Sequence, residues 1–126
     1  MKSLFCMFCT LAIASSVSAQ ETGNAMLKYG LNFLKTPYVA HTLEVNEEEK
    51  LVVNFDEVDC TTFVEYVLAL SLSPVKNGAI DKTDYARVLQ KIRYRDGRIN
   101  GYTSRLHYIA DWINNGVKHG FMEDVT

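Results

Sequence analysis

The chain has 126 residues, 48% of them apolar and 22% charged, with a formal net charge of −2. That balance excludes a collagenous, low-complexity or disordered chain, and it offers no basic excess for nucleic acid. No apolar run reaches the roughly 18 residues of a membrane span.

Residues 1–19 read as a leader. Lys2 supplies a positive start, and the apolar stretch from Leu4 to Ala14 is broken only by Thr10. Small residues then run to Val17-Ser18-Ala19, the pattern a signal peptidase reads. We expect residues 1–19 to be a signal peptide and the protein to be secreted, to the periplasm, with no stable membrane span after removal. Gln20 follows the cut, so the pattern is not that of a lipoprotein. Residues 20–126 keep one cysteine of three, Cys60. A single thiol in an oxidising compartment has no internal partner and reads as a reactive or partner-seeking group.

Spacing predicts a helix over 25–35, capped by Asn24 and ended by Pro37, with an extended Thr36 to Ala40 after it. Glu47 to Lys50 reads as a solvated turn, and the β-branched stretch Leu51 to Phe55 as a short strand. Asp59 caps a central helix through Leu70, whose apolar face carries Phe63, Val64, Val67 and Leu68. Residues 73–78 read as a loop. Thr83 is expected to cap a third helix, Asp84 to Arg93, and Ser104 a fourth through Leu106, Ile109, Trp112 and Ile113. The expected chain is mostly α-helical, with about four helices and one or two short strands.

Cys60 directly follows the cap, at the first position of the central helix. Unpaired N–H groups and the positive end of the helix dipole favour an anion there, and thiolate is the nucleophilic form of cysteine. The alternative at this point is a small buried core residue.

The local motifs narrow the choice. Thr36-Pro37-Tyr38-Val39 and Asp59-Cys60-Thr61-Thr62-Phe63-Val64 resemble the NlpC-type, papain-like cysteine peptidases of bacterial cell walls. A narrower match adds Glu44, Leu51 to Asn54, Ile92-Arg93-Tyr94-Arg95-Asp96-Gly97 and Ser104-Arg105-Leu106-His107-Tyr108. Together these blocks resemble the N-acetylmuramoyl-L-alanine amidase-like family related to those peptidases. The resemblance implies an α+β papain-like cysteine hydrolase that cuts the N-acetylmuramoyl–L-alanine amide in muropeptides or peptidoglycan fragments. It carries Cys60 over as nucleophile and Tyr38 as the tyrosine that positions the thiol. Asp59, Thr61, Arg105, His107 and Tyr108 are carried over as substrate-binding or cleft-shaping residues. Residues 20–126 resemble the helical N-terminal half of that domain. The family's C-terminal sheet, with its catalytic histidine in a Gly-Leu-Asp-x-x-His block, has no counterpart here.

In the predicted fourth helix His107 and Asp111 are four apart, a spacing at which Asp111 would orient the ring. His41 is a weaker candidate base, and His119 reads as a solvated loop residue. Arg93, Arg95, Arg98 and Arg105 could together face the acidic groups of a muropeptide, but such charges more often sit in solvent or pair with neighbours, here Asp96 and Asp111. No metal or cofactor is expected, because no pair of His or Cys residues has metal-ligand spacing. Two alternatives stand beside the amidase: a non-catalytic periplasmic helical module binding peptidoglycan fragments, and a stem-peptide endopeptidase of the same superfamily.

Overall fold

The computed structural model describes residues 21–126. The leader expected over 1–19 lies outside them. Among the described residues there are four α-helices, α1 (21–31), α2 (Cys60–Leu72), α3 (Lys82–Arg93) and α4 (Ile109–Lys118). A hairpin of β1 (Val75–Lys76) and β2 (Ala79–Ile80) joins α2 to α3.

Helix α2 is the centre of the molecule. Its buried residues are Thr62, Glu65, Tyr66, Val67, Leu68 and Ala69, which surround the helix rather than marking one stripe, as befits a helix packed on several sides. Tyr66, Leu68 and Ala69 join Val58, Tyr85, Leu89 and Ile92 in the core. Phe33 packs against it, and the half-exposed Phe55 ring lies edge-on to Tyr66 at 5.2 Å between centroids.

Several boundaries differ from the expectation. Asn24 lies inside α1 rather than capping it, and the helix closes at 31. Its exit tightens through Phe33 N–H to Gly30 O (3.1 Å) and Thr36 N–H to Phe33 O (3.0 Å), with Lys35 left-handed. Residues 51–55 form no strand. Their backbone groups are taken by side chains instead: Arg93 Nη1 donates to Val52 O (2.5 Å), and Asn54 N–H to the Tyr66 hydroxyl (3.0 Å). Residues 73–78 are not simply a loop, because Asn77 and Gly78 both take positive φ (53° and 76°) in a two-residue hairpin turn.

Helix α3 is capped by Asp81, not Thr83. Its Oδ1 accepts from Thr83 N–H (2.8 Å) and Asp84 N–H (3.2 Å). Helix α4 begins at Ile109, five residues after the expected cap. Ser104 is held in a 3₁₀ turn, its hydroxyl donating to Gly101 O (2.7 Å) and accepting from Asn100 N–H (2.9 Å). Arg105 then pairs with Tyr94 as an antiparallel bridge, and Leu106 N–H donates to Arg93 O (2.9 Å), so this stretch is extended.

Polar ties hold the far end of α4. Asp96 Oδ1 accepts from Lys118 Nζ (2.9 Å) and lies 2.8 Å from His119 Nε2. His119 is an exposed residue just past the helix end, as expected, and is in addition paired with Asp96. Those two partners hold the Asp96 carboxyl at about 2, below its ordinary 3.8. A depressed folded pKa contributes stability above the unfolded value and loses it as pH falls through the folded one. The end of α4 should therefore loosen between about pH 4 and pH 2. Asp96→Asn is expected to remove that part of the acid transition, read by circular dichroism against pH.

Candidate active site

Residues 59–62 build the head of α2 by local chemistry alone. Asp59 Oδ1 accepts from Thr62 N–H (2.8 Å), and Thr62 Oγ1 accepts from Asp59 N–H (2.9 Å). This reciprocal capping box fixes the helix start between 59 and 60. Cys60 is thereby the first helical residue, and it is a free, exposed thiol.

The segment carrying Tyr38 is fastened beside it. Val39 N–H donates to Val58 O (3.0 Å) and Val58 N–H to Pro37 O (3.1 Å), a parallel bridge two residues ahead of Cys60. The side chain of Tyr38 is 70% exposed.

A cavity of about 180 Å³ opens at the thiol, lined by Cys60, Thr61, Val64, Ile109, Trp112 and Ile113. Its wall on the α4 side is apolar. Ile109 and Ile113 are 57% and 43% exposed, while Trp112 packs partly against the core. The Trp112 indole N–H is buried without a hydrogen-bond partner among the described residues. A neighbouring groove of about 370 Å³ between α1 and α2, lined by Leu27, Leu31, Phe63, Val64 and others, shares Val64 with it.

The predicted residues divide into two groups. Cys60 and Thr61 line the apolar cavity with α4, Asp59 caps the helix they start, and Tyr38 is bridged just upstream. Tyr108 is the exposed backbone cap of α4. Arg105 and His107 gather elsewhere. Arg105 is buried, its Nε 2.9 Å from Glu49 Oε1 and its Nη2 3.7 Å from Glu44 Oε1. The ring of His107 lies 4.1 Å from that of Tyr102, with Nε2 2.7 Å from the Tyr102 carbonyl oxygen. Because α4 starts at Ile109, His107 is not on it, and Asp111 pairs with Arg95 (3.5 Å) instead. His41 is an exposed residue 3.4 Å from Glu44.

The stretch from Glu47 to Lys50 is not a solvated turn throughout. Glu49 is largely buried, accepts from the Tyr94 hydroxyl (2.7 Å), and pushes that hydroxyl up together with burial. With Glu44, Glu47, Glu48 and Tyr102 it lines a larger cavity of about 670 Å³. No group of three or more His, Cys, Asp or Glu among the described residues is placed to hold a metal ion.

The profile of the AmiA-like, N-acetylmuramoyl-L-alanine amidase-like family matches residues 28–126. The chain belongs to this amidase-like family. Two crystal structures named N-acetylmuramoyl-L-alanine amidase, from Bacteroides uniformis ATCC 8492, are similar to it. One is 62% identical with a TM-score of 0.77, covering 82% of this chain and 43% of that one. The other is 64% identical with a TM-score of 0.73, covering 75% and 40%. A Bacteroides fragilis structure named as a candidate xylanase is 62% identical, with a TM-score of 0.75 over 79% of this chain and 42% of its own. The chain thus spans about two-fifths of the length of these solved relatives. No curated protein matches it.

Two features of this amidase-like chain escape a local reading. One is the apolar wall of Ile109, Trp112 and Ile113, spaced three and one apart as for core packing, yet facing the thiol's cavity. The other is a buried ion pair, Arg93 Nε to Glu65 Oε2 at 2.7 Å, formed across 28 residues of sequence. Burial pushes the Glu65 carboxyl up while Arg93 opposes that push.

Proposed function

We propose that the protein is a cell-wall amidase that uses Cys60 to cut the N-acetylmuramoyl–L-alanine amide of muropeptides. The observation that carries this reading is the exposed thiol at the head of α2, opening onto a cavity in a chain of the amidase-like family. In the proposed reaction the Cys60 thiolate attacks the lactyl carbonyl of the muramoyl group. The carbon–nitrogen bond breaks, and the alanyl peptide leaves as an amine after taking a proton. Water then cleaves the muramoyl thioester and restores the thiol.

Asp59 holds the helix start, and the bridged Tyr38 segment positions the thiol from the upstream side. The general base is assigned to the length that the solved relatives have beyond this chain. That length would also cover the apolar groove along α1 and α2 and complete an α+β, papain-like domain of the NlpC type. Residues 1–19 direct the protein to the periplasm, where muropeptides are found. A glycoside hydrolase needs two carboxylates flanking its bond, whereas the cavity at Cys60 is apolar apart from the thiol and Thr61.

The test joins this chain to the unmatched length of a Bacteroides uniformis amidase, in alignment order. The product should release stem peptide from N-acetylmuramoyl-L-alanyl peptides and leave both glycan linkages and stem-peptide bonds uncut. Cys60→Ala should abolish the release. Cleavage within the stem peptide would favour the endopeptidase reading. Binding without cleavage would favour the non-catalytic module.

A further inference from the structure

The cavity at Cys60 has a chemistry of its own, set by residues the amidase reading does not use. Four of its six lining residues, Val64, Ile109, Trp112 and Ile113, are apolar, and three of those come from α4. Polar ties at Arg95–Asp111 and Asp96–Lys118 place α4 against the end of α3, which sets the position of this wall. Water gains little from such a lining, whereas a charged group placed against it loses hydration without recompense.

We propose that this cavity is the specificity subsite for the two methyl-bearing carbons flanking the scissile amide, with Ile109, Trp112 and Ile113 as its determinants. The inference rests on the amidase reading. In an N-acetylmuramoyl–L-alanine amide the lactyl carbon on one side and the alanyl carbon on the other each carry a methyl group. Both methyls lie within two bonds of the reacting carbonyl carbon or nitrogen, so when a thiol at the cavity's edge attacks that carbonyl they come within reach of the cavity's walls. The subsite selects aliphatic neighbours of the amide and rejects charged ones.

The experiment labels Cys60 in the full chain with two reagents sharing one warhead: chloroacetyl-L-alanine methylamide and chloroacetyl-L-aspartate methylamide. In each case the thiolate displaces chloride and forms an S–CH₂ bond. Rates at Cys60 are read by peptide mass spectrometry and divided by the rates with N-acetylcysteine. The alanine reagent should be favoured by about tenfold or more, since an apolar wall penalises the carboxylate. Trp112 is the one tryptophan of the sequence, so its emission should shift as the alanine reagent couples. Ile113→Asp, and independently Ile109→Ser, should lower the preference. Both positions are substantially exposed, so the fold should tolerate either change.

A corrected ratio near one, or a ratio that neither variant changes, would overturn the proposal. So would slowing of both reagents as protein concentration rises, which would seat a second copy in the cavity. Slowing of both that is relieved by removing residues 1–19 would seat that segment there and overturn it equally. Labelling requires no hydrolysis. Loss of the preference with amide cleavage intact would therefore reject the subsite alone, and absence of Cys60-dependent cleavage by the joined protein would reject the amidase reading.

Discussion

Arg93→Met is expected to destabilise the protein by about 3–5 kcal/mol, because it leaves the Glu65 carboxylate buried without its partner. The side chain of Arg93 is 1% exposed and makes three contacts at once, two to α2 and one to the 51–55 stretch. It donates to Glu65 on α2 (2.7 Å), donates to Val52 O in the irregular 51–55 stretch (2.5 Å), and lies over the Tyr66 ring at 5.3 Å. Its own position at the last residue of α3 is a favourable place for a cation. Removing both charges in Glu65→Leu with Arg93→Met should recover part of the loss. The remainder is the unpaired Val52 carbonyl, a cost of about 1–3 kcal/mol. Urea unfolding of the wild type, the single variant and the double variant measures the three values. A single variant within about 1 kcal/mol of wild type would mean that the pair does not carry the fold.

The second large effect concerns chemistry. On an N-acetylmuramoyl-L-alanyl peptide, this chain is expected to be about 10²–10⁴-fold slower than the same chain joined to the unmatched length of a solved relative. That range is what positioned general acid–base catalysis supplies. An amide's leaving amine must be protonated, and each of the three histidines has another partner, His41 lying 3.4 Å from Glu44. His119 pairs with Asp96, and His107 lies against Tyr102 and its carbonyl oxygen. Liquid chromatography of the released peptide reads the two rates. Equal rates, both lost in Cys60→Ala, would move the base into this chain, with His107→Ala as the next variant.

What was legible in the sequence follows the range of the forces involved. The cap at Asp59 and the start of α2 at Cys60 depend on residues three apart, so they can be read locally. The Asn77-Gly78 turn was equally open to a local reading, since both residues favour positive φ, and reading 73–78 as a loop overlooked it. The stretch 51–55 looks like a strand because it carries β-branched Val52 and Val53 between Leu51 and Phe55. It is none because Arg93 and Tyr66, distant in sequence, take the groups a neighbouring strand would have bonded.

The start of α4 escapes a local reading for a related reason. Ser104 is a good cap by type, but its hydroxyl closes a turn with Gly101 and Asn100, and the Tyr94–Arg105 bridge keeps the next residues extended. That shift of four residues removes His107 from the helix, while Ile109 and Ile113 line the thiol's cavity. Arg93 and Arg105, which read as solvent-facing charges or partners of Asp96 and Asp111, with Arg105 also a cleft-shaping residue by resemblance, are instead the buried clamps of the 43–55 segment. Nothing within a few residues of either arginine signals this.

The most direct test of the central claim separates the nucleophile from the base. A p-nitrophenyl ester of N-acetylmuramic acid has a leaving group that departs without a proton, so attack by Cys60 alone suffices to release it. The chain should give a burst of p-nitrophenolate of one equivalent per Cys60, faster than with p-nitrophenyl acetate relative to a free thiol, and leave a muramoyl thioester on the Cys60 peptide. The same burst from Cys60→Ala, or no preference for the muramoyl ester over the acetate, would contradict the account.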